Sequence, residues 1–410
     1  MGKINVLVIP SDNIGGVGFY RSTQPHIQLQ EQFKDDFDVT ITMNPNFRNL
    51  QSFDKYDIVH IHKGLFQDMQ GFFMFMNYAK QKGIKTIMDI DDYWDLGMHH
   101  PQASGQKMQK MDQLIKNNLK MFDYVTTTTE LFAKKILPLN KNVHVFPNAI
   151  NPEDERFKIE KKPSKFLRVG LIMGSTHEYD MQLLNGISQI PNDVLEKVQF
   201  VLCGFDLRGT MRVINKETGE VTERPIKPKE SVWYRYEKMM TNNYGIVDKD
   251  YQEFLELFLQ NIQYPNVENE HYKRCWTKDI NHYYSHYGEI DVLLAPLEAN
   301  DFNYVKSPLK VAECAFSHTA IVASDYGPYT LDLKSAREKG GVWNPEGNAL
   351  LVDEGRNHKD WRKYVELLAK NPDYVKQLQD NLYRDVHEKY DLRNVTKDRA
   401  EFYKKIVNEK

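Results

Sequence analysis

The sequence predicts an α/β protein of two doubly wound domains facing one another across a cleft, and three observations carry that reading. At 410 residues, the chain is longer than one domain of ~100–200 residues. Short β-branched runs alternate with longer amphipathic stretches in two separate series, the mark of parallel sheets covered by helices. Between the series, Asn151 to Lys165 (NPEDERFKIEKKPSK) has no apolar periodicity and reads as an interdomain linker.

In the first series, over residues 1–150, the expected strands are Asn5 to Ile9, Val39 to Met43, Ile58 to Ile61, Thr86 to Ile90, Tyr124 to Thr127 and Val143 to Phe146, with helical spacing over Met108 to Met121. The second series, within 166–385, contains Leu167 to Ile172, Phe200 to Phe205, Asp291 to Pro296, Ala320 to Ala323 and Ala349 to Val352. An insert at about 209–285 interrupts it, rich in Tyr, Asn and Lys. There Met211 to Glu223 resembles a hairpin turning at Thr218-Gly219. The charged tail from Lys359 is helix-rich, and its last part, 386–410, is set apart as a separate helix.

Composition narrows the function classes. With 41% hydrophobic and 27% charged residues the chain is neither disordered nor of low complexity. Fifty-four basic against 57 acidic residues give a net charge of −3, so no whole-molecule attraction draws it to nucleic acid or anionic lipid. Cys203, Cys275 and Cys314 are widely spaced and form no CxxC pair, which points away from a disulfide framework or zinc ribbon and toward a reducing compartment. The opening apolar run stops at Pro10, too short for a signal-peptide core, and Val6 breaks the myristoylation pattern. No run of ~18 apolar residues spans a membrane. The expected location is cytoplasmic, at most peripheral to the inner membrane.

Four segments carry chemistry. Ser11-Asp-Asn-Ile-Gly15-Gly16-Val-Gly18-Phe-Tyr-Arg21 places glycines at a helix start, where a ligand can approach the backbone. Its spacing is not GxGxxG and no acid follows the second strand, which disfavours a nicotinamide dehydrogenase. Asp89-Ile-Asp91-Asp92-Tyr-Trp94-Asp95-Leu-Gly-Met-His99-His100 crowds like charges that need cations, a metal or hydroxyl donors. Asp89 and Asp91 have the form of a two-carboxylate metal clamp, but nothing fixes further ligands and no metal is expected. After the seventh strand, Gly174 and Ser175 offer backbone N–H groups to a phosphate, with His177 and Asp180 on one helical face. Most informative is Asp291 to Glu313, a strand and polar loop leading to Ser307 as N-cap and Pro308 at the first helical position. Ser307, Lys310 and Glu313 then share a face, suited to a diphosphate and a ribose.

These residues resemble the retaining glycosyltransferases of family 4, the group 1 glycosyl transferases with the GT-B fold. The likeness runs through the glycine-rich first turn, Asp57 to His62, Asp123 to Thr128, Val145 to Ala149, Gly170 to Ser175, and Asp291 to Glu313 into Ile321 to Pro328. It implies two Rossmann-like domains: an acceptor domain over 1–150 and a nucleotide-sugar domain over 166–385. It also implies a final helix, 386–410, crossing back to the first. Glu313 resembles the second glutamate of the E-x7-E motif; Val305 stands where the first would be, within FNxxKSxLKxxE.

The reading that follows is a metal-independent, retaining transferase moving a sugar from a nucleoside diphosphate, UDP- or GDP-linked, to an acceptor hydroxyl of a glycan, glycolipid or modified DNA. Asp91, His177, Lys306 and Glu313 are its catalytic candidates. Donor contacts fall to Gly15, Gly16, Gly174, Ser175, Asn303, Lys306, Ser307, Lys310 and Glu313, and acceptor contacts to Arg21, Asp92, Trp94 and His99. A non-catalytic nucleotide or sugar binder, a phosphosugar epimerase or phosphorylase of the same architecture, and a phage-type DNA glycosyltransferase remain alternatives. The last would use Arg208, Arg212, Lys227, Lys229 and Arg235 beside Trp233 and Tyr234.

Overall fold

A computed structural model of the chain describes residues 2–13, 15–206, 209–214, 221–227, 230–241, 271–338, 340–353 and 359–409. The first sheet contains β1 (Ile4–Ile9), β2 (Phe37–Ile41), β3 (Ile58–His62), β4 (Lys85–Asp89), β5 (Tyr124–Thr127) and β6 (Val143–Val145) in the order β2-β1-β3-β4-β5-β6. Every pairing in it is parallel. β3 is buried at all five positions, as a strand covered on both faces must be. Leu7, Ile9, Val59, Phe72, Phe75 and Phe132 fill one face.

The second sheet follows the same plan. Its strands are β7 (Leu167–Ile172), β8 (Val198–Phe205), β11 (Tyr272–Trp276), β12 (Val292–Ala295), β13 (Ala320–Ser324) and β14 (Leu350–Val352), in the order β11-β8-β7-β12-β13-β14 and again all parallel. Each sheet reverses direction of growth beside its first strand, at β1/β3 and at β7/β12. Such a switch point leaves a crevice beyond the carboxyl ends, where ligands bind in open α/β sheets.

Local chemistry sets the helix limits. Asp68 accepts from Gly71 N–H at 3.0 Å to start Met69–Lys82, and Gly83 ends that helix at φ 73°. Thr129 caps Glu130–Ile136 through Phe132 N–H at 3.2 Å. The helix expected over Met108 to Met121 is broken: Ala103–Met108 and Met111–Met121 meet at Lys110, whose φ is 52°. The hairpin pairs β9 (Thr210–Ile214) with β10 (Val221–Pro225) antiparallel; its turn at Thr218-Gly219 lies outside the described residues, as does 242–270. The insert nevertheless returns a sixth strand, β11, to the second sheet, which the sequence did not announce.

The chain closes on itself near the linker. Ile150 N–H donates to Tyr390 O and Leu392 N–H to Ile150 O, both at 2.8 Å. Leu392–Asn408 then packs on the first domain: Phe402, Tyr403 and Ile406 share a core with Val6, Val8 and Ile87. Tyr403 Oη lies 2.8 Å from His26 Nε2. Phe157, inside the segment read as linker, is buried against Phe19 and Tyr20.

Candidate functional site

A continuous cleft lies between the carboxyl ends of the two sheets. Its largest compartment, about 920 Å³, is lined by the ends of β7 and β8 and by Gly174, Ser175, His177, Trp233, Tyr283 and Lys310. Thr176 and His177 also border a second compartment of about 480 Å³ that faces Asp92 and His99 of the first domain. Lys278 and Tyr283 lead into a third, about 390 Å³, lined by Gly15, Gly16, Asp91 and Asn148. The combined size suits a nucleotide-sized ligand with its substituents.

Gly174 and Ser175 are exposed in the turn after β7. His177 stands at the start of Glu178–Gln182, and its Nδ1 is 2.6 Å from Asp180 Oδ2. An ionised carboxylate only accepts, so Nδ1 carries the proton and Nε2 is the acceptor. Burial and the charge of Lys306 hold His177 at about 4 against an opposing pull from Asp180, so the ring is neutral at pH 7. Asp180 in turn accepts from Glu298 N–H at 2.7 Å and from Asn303 Nδ2 at 3.0 Å. One buried carboxylate thereby fixes the β7 turn and the β12 loop together.

Lys306 and Lys310 are two uncompensated charges of the site. Among the described residues neither ammonium has a carboxylate oxygen within 4.0 Å. Lys306 lies over the Phe302 ring at 4.9 Å. Burial lowers the pKa of both, and the charge of Lys306 helps bring Lys310 to about 8. Two crowded, desolvated cations favour an incoming anion.

Three expectations in this segment change. Ser307 does not cap a helix: Leu309–Phe316 starts after Pro308 without a side-chain cap, and Ser307 Oγ accepts from Asn148 Nδ2 at 3.0 Å across the domains. Asn303 borders the second compartment, but its amide N–H groups are taken by Asp180 and the Glu298 carbonyl. Glu313 is fully buried and lines none of the three compartments. Its carboxylate accepts from Tyr287 at 2.7 Å and Tyr20 at 3.1 Å, one on each oxygen. Val305 packs with Trp94 and Phe132 in the first domain's core, so the place of the missing glutamate is an apolar anchor between domains.

The first domain brings similar corrections. Arg21 is fully buried and does not line the cleft. It forms a bidentate pair with Asp89 at 2.9 and 2.7 Å, and reaches Phe146 O and Asn148 Oδ1. Burial pushes Asp89 up, but the Arg21 charge and hydrogen bonds outweigh it and hold the carboxyl at about 2. Asp89 is thus spent inside the domain, which dissolves the clamp with Asp91. Asp91 borders the third compartment while paired with His62 at 3.1 Å and Lys63 at 3.3 Å; these partners overcome burial and keep it ionised. Asp92 is half exposed beside Lys63. Trp94 is a core residue, its ring tilted against those of Tyr93 and Phe132. His99 bridges the cleft, with Nδ1 2.9 Å from Glu298 Oε1 and its ring 4.1 Å from Tyr179, nearly parallel. The Gly15 N–H is already taken by Asp12 Oδ1 at 2.5 Å, and Gly18 N–H by Asp12 Oδ2 at 3.1 Å. A Cβ on Gly18 would meet Asp12 O at 2.2 Å, which is why glycine stands there. Gly16 remains at the cleft wall.

Two described members of the basic patch expected in the insert are engaged elsewhere. Arg235 pairs with Glu178, and Trp233 is buried against Phe205 instead of offering a stacking face. Arg208 and Lys229 lie outside the described residues, as does the side chain of Arg212. Sequence reasoning missed Asp180 as a hub, Glu298 as a bridge, and Tyr20 and Tyr287 as the partners of Glu313. Those roles need distant residues brought together, which spacing along the chain does not reveal.

Two facing parallel-sheet domains, a cleft at both switch points and a last helix returning to the first domain define the GT-B fold. No family model and no curated protein sequence matches the chain. Solved structures do. Anabaena HepE, in complex with UDP and glucose, is 11% identical, covers 99% of this chain and 100% of its own, and has a TM-score of 0.59. The catalytic domain of starch synthase IV from Arabidopsis thaliana, bound to ADP and acarbose, is 11% identical over 100% of both chains, with a TM-score of 0.54. A UDP-forming trehalose-phosphate synthase from Burkholderia xenovorans is 10% identical over 100% of both, at 0.53. Among the described residues no helix is long and apolar enough to cross a membrane.

Proposed function

We propose that the protein is a glycosyltransferase that moves a hexose-type sugar from a nucleoside diphosphate to an acceptor hydroxyl. The carrying observation is the pair of desolvated lysines, Lys306 and Lys310, without a carboxylate partner beside the exposed Gly174-Ser175 turn. The nucleoside occupies the largest compartment, and the diphosphate lies between that turn and the lysines. The sugar points toward His177, Asp92 and His99. The solved structures of the same fold that hold UDP, glucose or ADP support this reading.

The lysines stabilise the charge that develops on the departing diphosphate, and the backbone amides of the turn share it. Neutral His177, its proton fixed by Asp180, presents Nε2 as an acceptor to a sugar hydroxyl. His99 and Glu298 hold the domains closed, which positions the acceptor more than it activates it. The resemblance to family 4 favours retention, UDP or GDP as the carrier, and a cytoplasmic enzyme acting on a glycan or glycolipid. With two ammonium groups in place, turnover is expected without added Mg²⁺ or Mn²⁺.

The test is incubation with a panel of nucleotide-sugars and glycan or lipid-linked acceptors, reading released nucleotide and product mass, with the anomeric configuration of the product by NMR. Transfer with retention supports the proposal. Saturable nucleotide binding with no transfer to any acceptor would place the non-catalytic binder first.

A further inference from the structure

At the wall of the largest compartment, three residues distant in sequence converge. Cys203 lies on β8, and Cys275 is its register partner on the adjacent parallel strand β11. His286 belongs to the 3₁₀ helix Tyr283–Glu289. The two Sγ atoms and a His286 ring nitrogen all lie within 4.8 Å of one another, the one such cluster among the described residues. Cys203 is fully buried and His286 is 1% exposed.

The imidazole is the telling member. Neither of its ring nitrogens has a hydrogen-bond partner, although the side chain is almost wholly buried in the wall of the largest compartment. An unpaired buried polar group costs free energy that native structures rarely leave uncompensated. Its charged neighbours leave it unpaired: Glu289 accepts from Lys273, and Lys278 donates to Ser285. A ligated cation would satisfy one nitrogen, and it needs the thiols that stand beside it.

We propose that Cys203, Cys275 and His286 form a site for a thiophilic divalent cation, with Zn²⁺ as the best match. Two sulfurs and one nitrogen are a recognised zinc donor set, and calcium or magnesium would require oxygen ligands. Zn–S bonds of about 2.3 Å and Zn–N bonds of about 2.0–2.1 Å in a tetrahedron place donor atoms roughly 3.5–3.8 Å apart, so the cluster needs to close by at most about 1 Å on binding. Both thiols become thiolates, so one Zn²⁺ enters and two protons leave. Water or a further donor completes the fourth position.

Such an ion would tie the sheet-edge strand β11 to β8 and to the turn that bears Tyr283 and Tyr287. Tyr283 lines the cleft, and Tyr287 holds Glu313. The ion would thus brace the nucleotide compartment without touching the transferred group. Cys314 stands in a different setting, on the helix Leu309–Phe316, and serves as an internal control.

The experiment uses the full chain, purified reduced and without affinity metals. Zinc is measured by mass spectrometry of the metal, and Co²⁺ is added to the stripped protein as a spectroscopic probe. The expected result is about one zinc per chain and a thiolate-to-cobalt charge-transfer band. Both should be lost in Cys275→Ser and His286→Gln and kept in Cys314→Ser. The wild-type cobalt spectrum decides the matter even where a variant fails to fold. No retained zinc together with no charge-transfer band would overturn the proposal. So would an intact mass showing that Cys203 and Cys275 have joined as a disulfide in the reduced preparation.

Discussion

Tyr20, in the helical segment Phe19–Thr23 that follows β1, donates its hydroxyl hydrogen to Glu313 of the C-terminal domain at 3.1 Å, and both side chains are buried. A second donor, Tyr287, approaches the other carboxylate oxygen at 2.7 Å. The residue that the family resemblance assigns to a ribose is here the polar latch between domains. Burial drives its pKa to about 7 even though both tyrosines and Lys310 pull the other way.

That latch makes stability depend on pH. Folding disfavours the ionised Glu313, so below its ordinary value of 4.5 the group imposes no electrostatic burden. The burden grows as pH rises through about 7 and levels off above it, reaching roughly 3 kcal/mol. Glu313→Gln is expected to be more stable than the wild type at pH 8, with the difference narrowing toward pH 5. Chemical denaturation at both pH values checks this, and equal differences at the two would contradict it.

Tyr20→Phe removes one of the two donors. At pH 8, where Glu313 is charged, it should cost about 1.5–3 kcal/mol, and less at pH 5, where the bond is to a neutral group. Denaturation of the variant at the two pH values reads the difference directly.

Arg21 and Asp89 form a buried bidentate pair that links the first turn to the end of β4. Arg21→Ala strips the buried Asp89 of its cation, at an expected cost of about 3–5 kcal/mol. Arg21→Lys should lose much of it as well, because an ammonium cannot serve Asp89, Phe146 and Asn148 in the same fork geometry. Thermal unfolding of both variants measures the loss.

Most of the scaffold was legible because parallel strands buried on both faces are continuous apolar runs. β5 and β7 begin and end where the pattern places them, and β1, β3 and β4 differ at their ends by a residue. β11 was hidden because Tyr272 to Trp276 carries Lys273 and Arg274, whose charges are met by Glu289 and Glu237 from other elements. The site was legible as a region and less so by residue. Lys306, Lys310, His177, Asp92 and His99 all border the cleft. Arg21, Trp94 and Glu313 sit beside it in sequence but turn inward. Only their partners, Asp89, Phe132 and the two tyrosines, decide that direction, and those lie far along the chain.

Val305 tests whether the lost glutamate of the resemblance can be restored. Its side chain is fully buried among Trp94, Phe132 and their neighbours. Val305→Glu therefore places a carboxylate in an apolar core and should destabilise the fold by at least about 3 kcal/mol without improving turnover. Unfolding and transfer assays on the same preparation check both halves.

Lys310 gives the donor site a pH limit. Its pKa of about 8 means that the free protein loses this charge as pH rises past that value, so diphosphate affinity should fall above pH 8. Lys310→Arg stays charged and should hold its affinity through pH 9 or so. Binding isotherms across this range separate the two.

The most direct test of the donor site is calorimetric titration of UDP, GDP, ADP and CMP into the wild type, Lys306→Ala and Lys310→Ala. The predicted result is saturable binding of one nucleoside diphosphate, weakened by ~1–3 kcal/mol, about 5- to 150-fold, in each lysine variant. Binding of none of the four, or binding that both variants leave unchanged, would contradict the assignment of the lysine pair to the diphosphate.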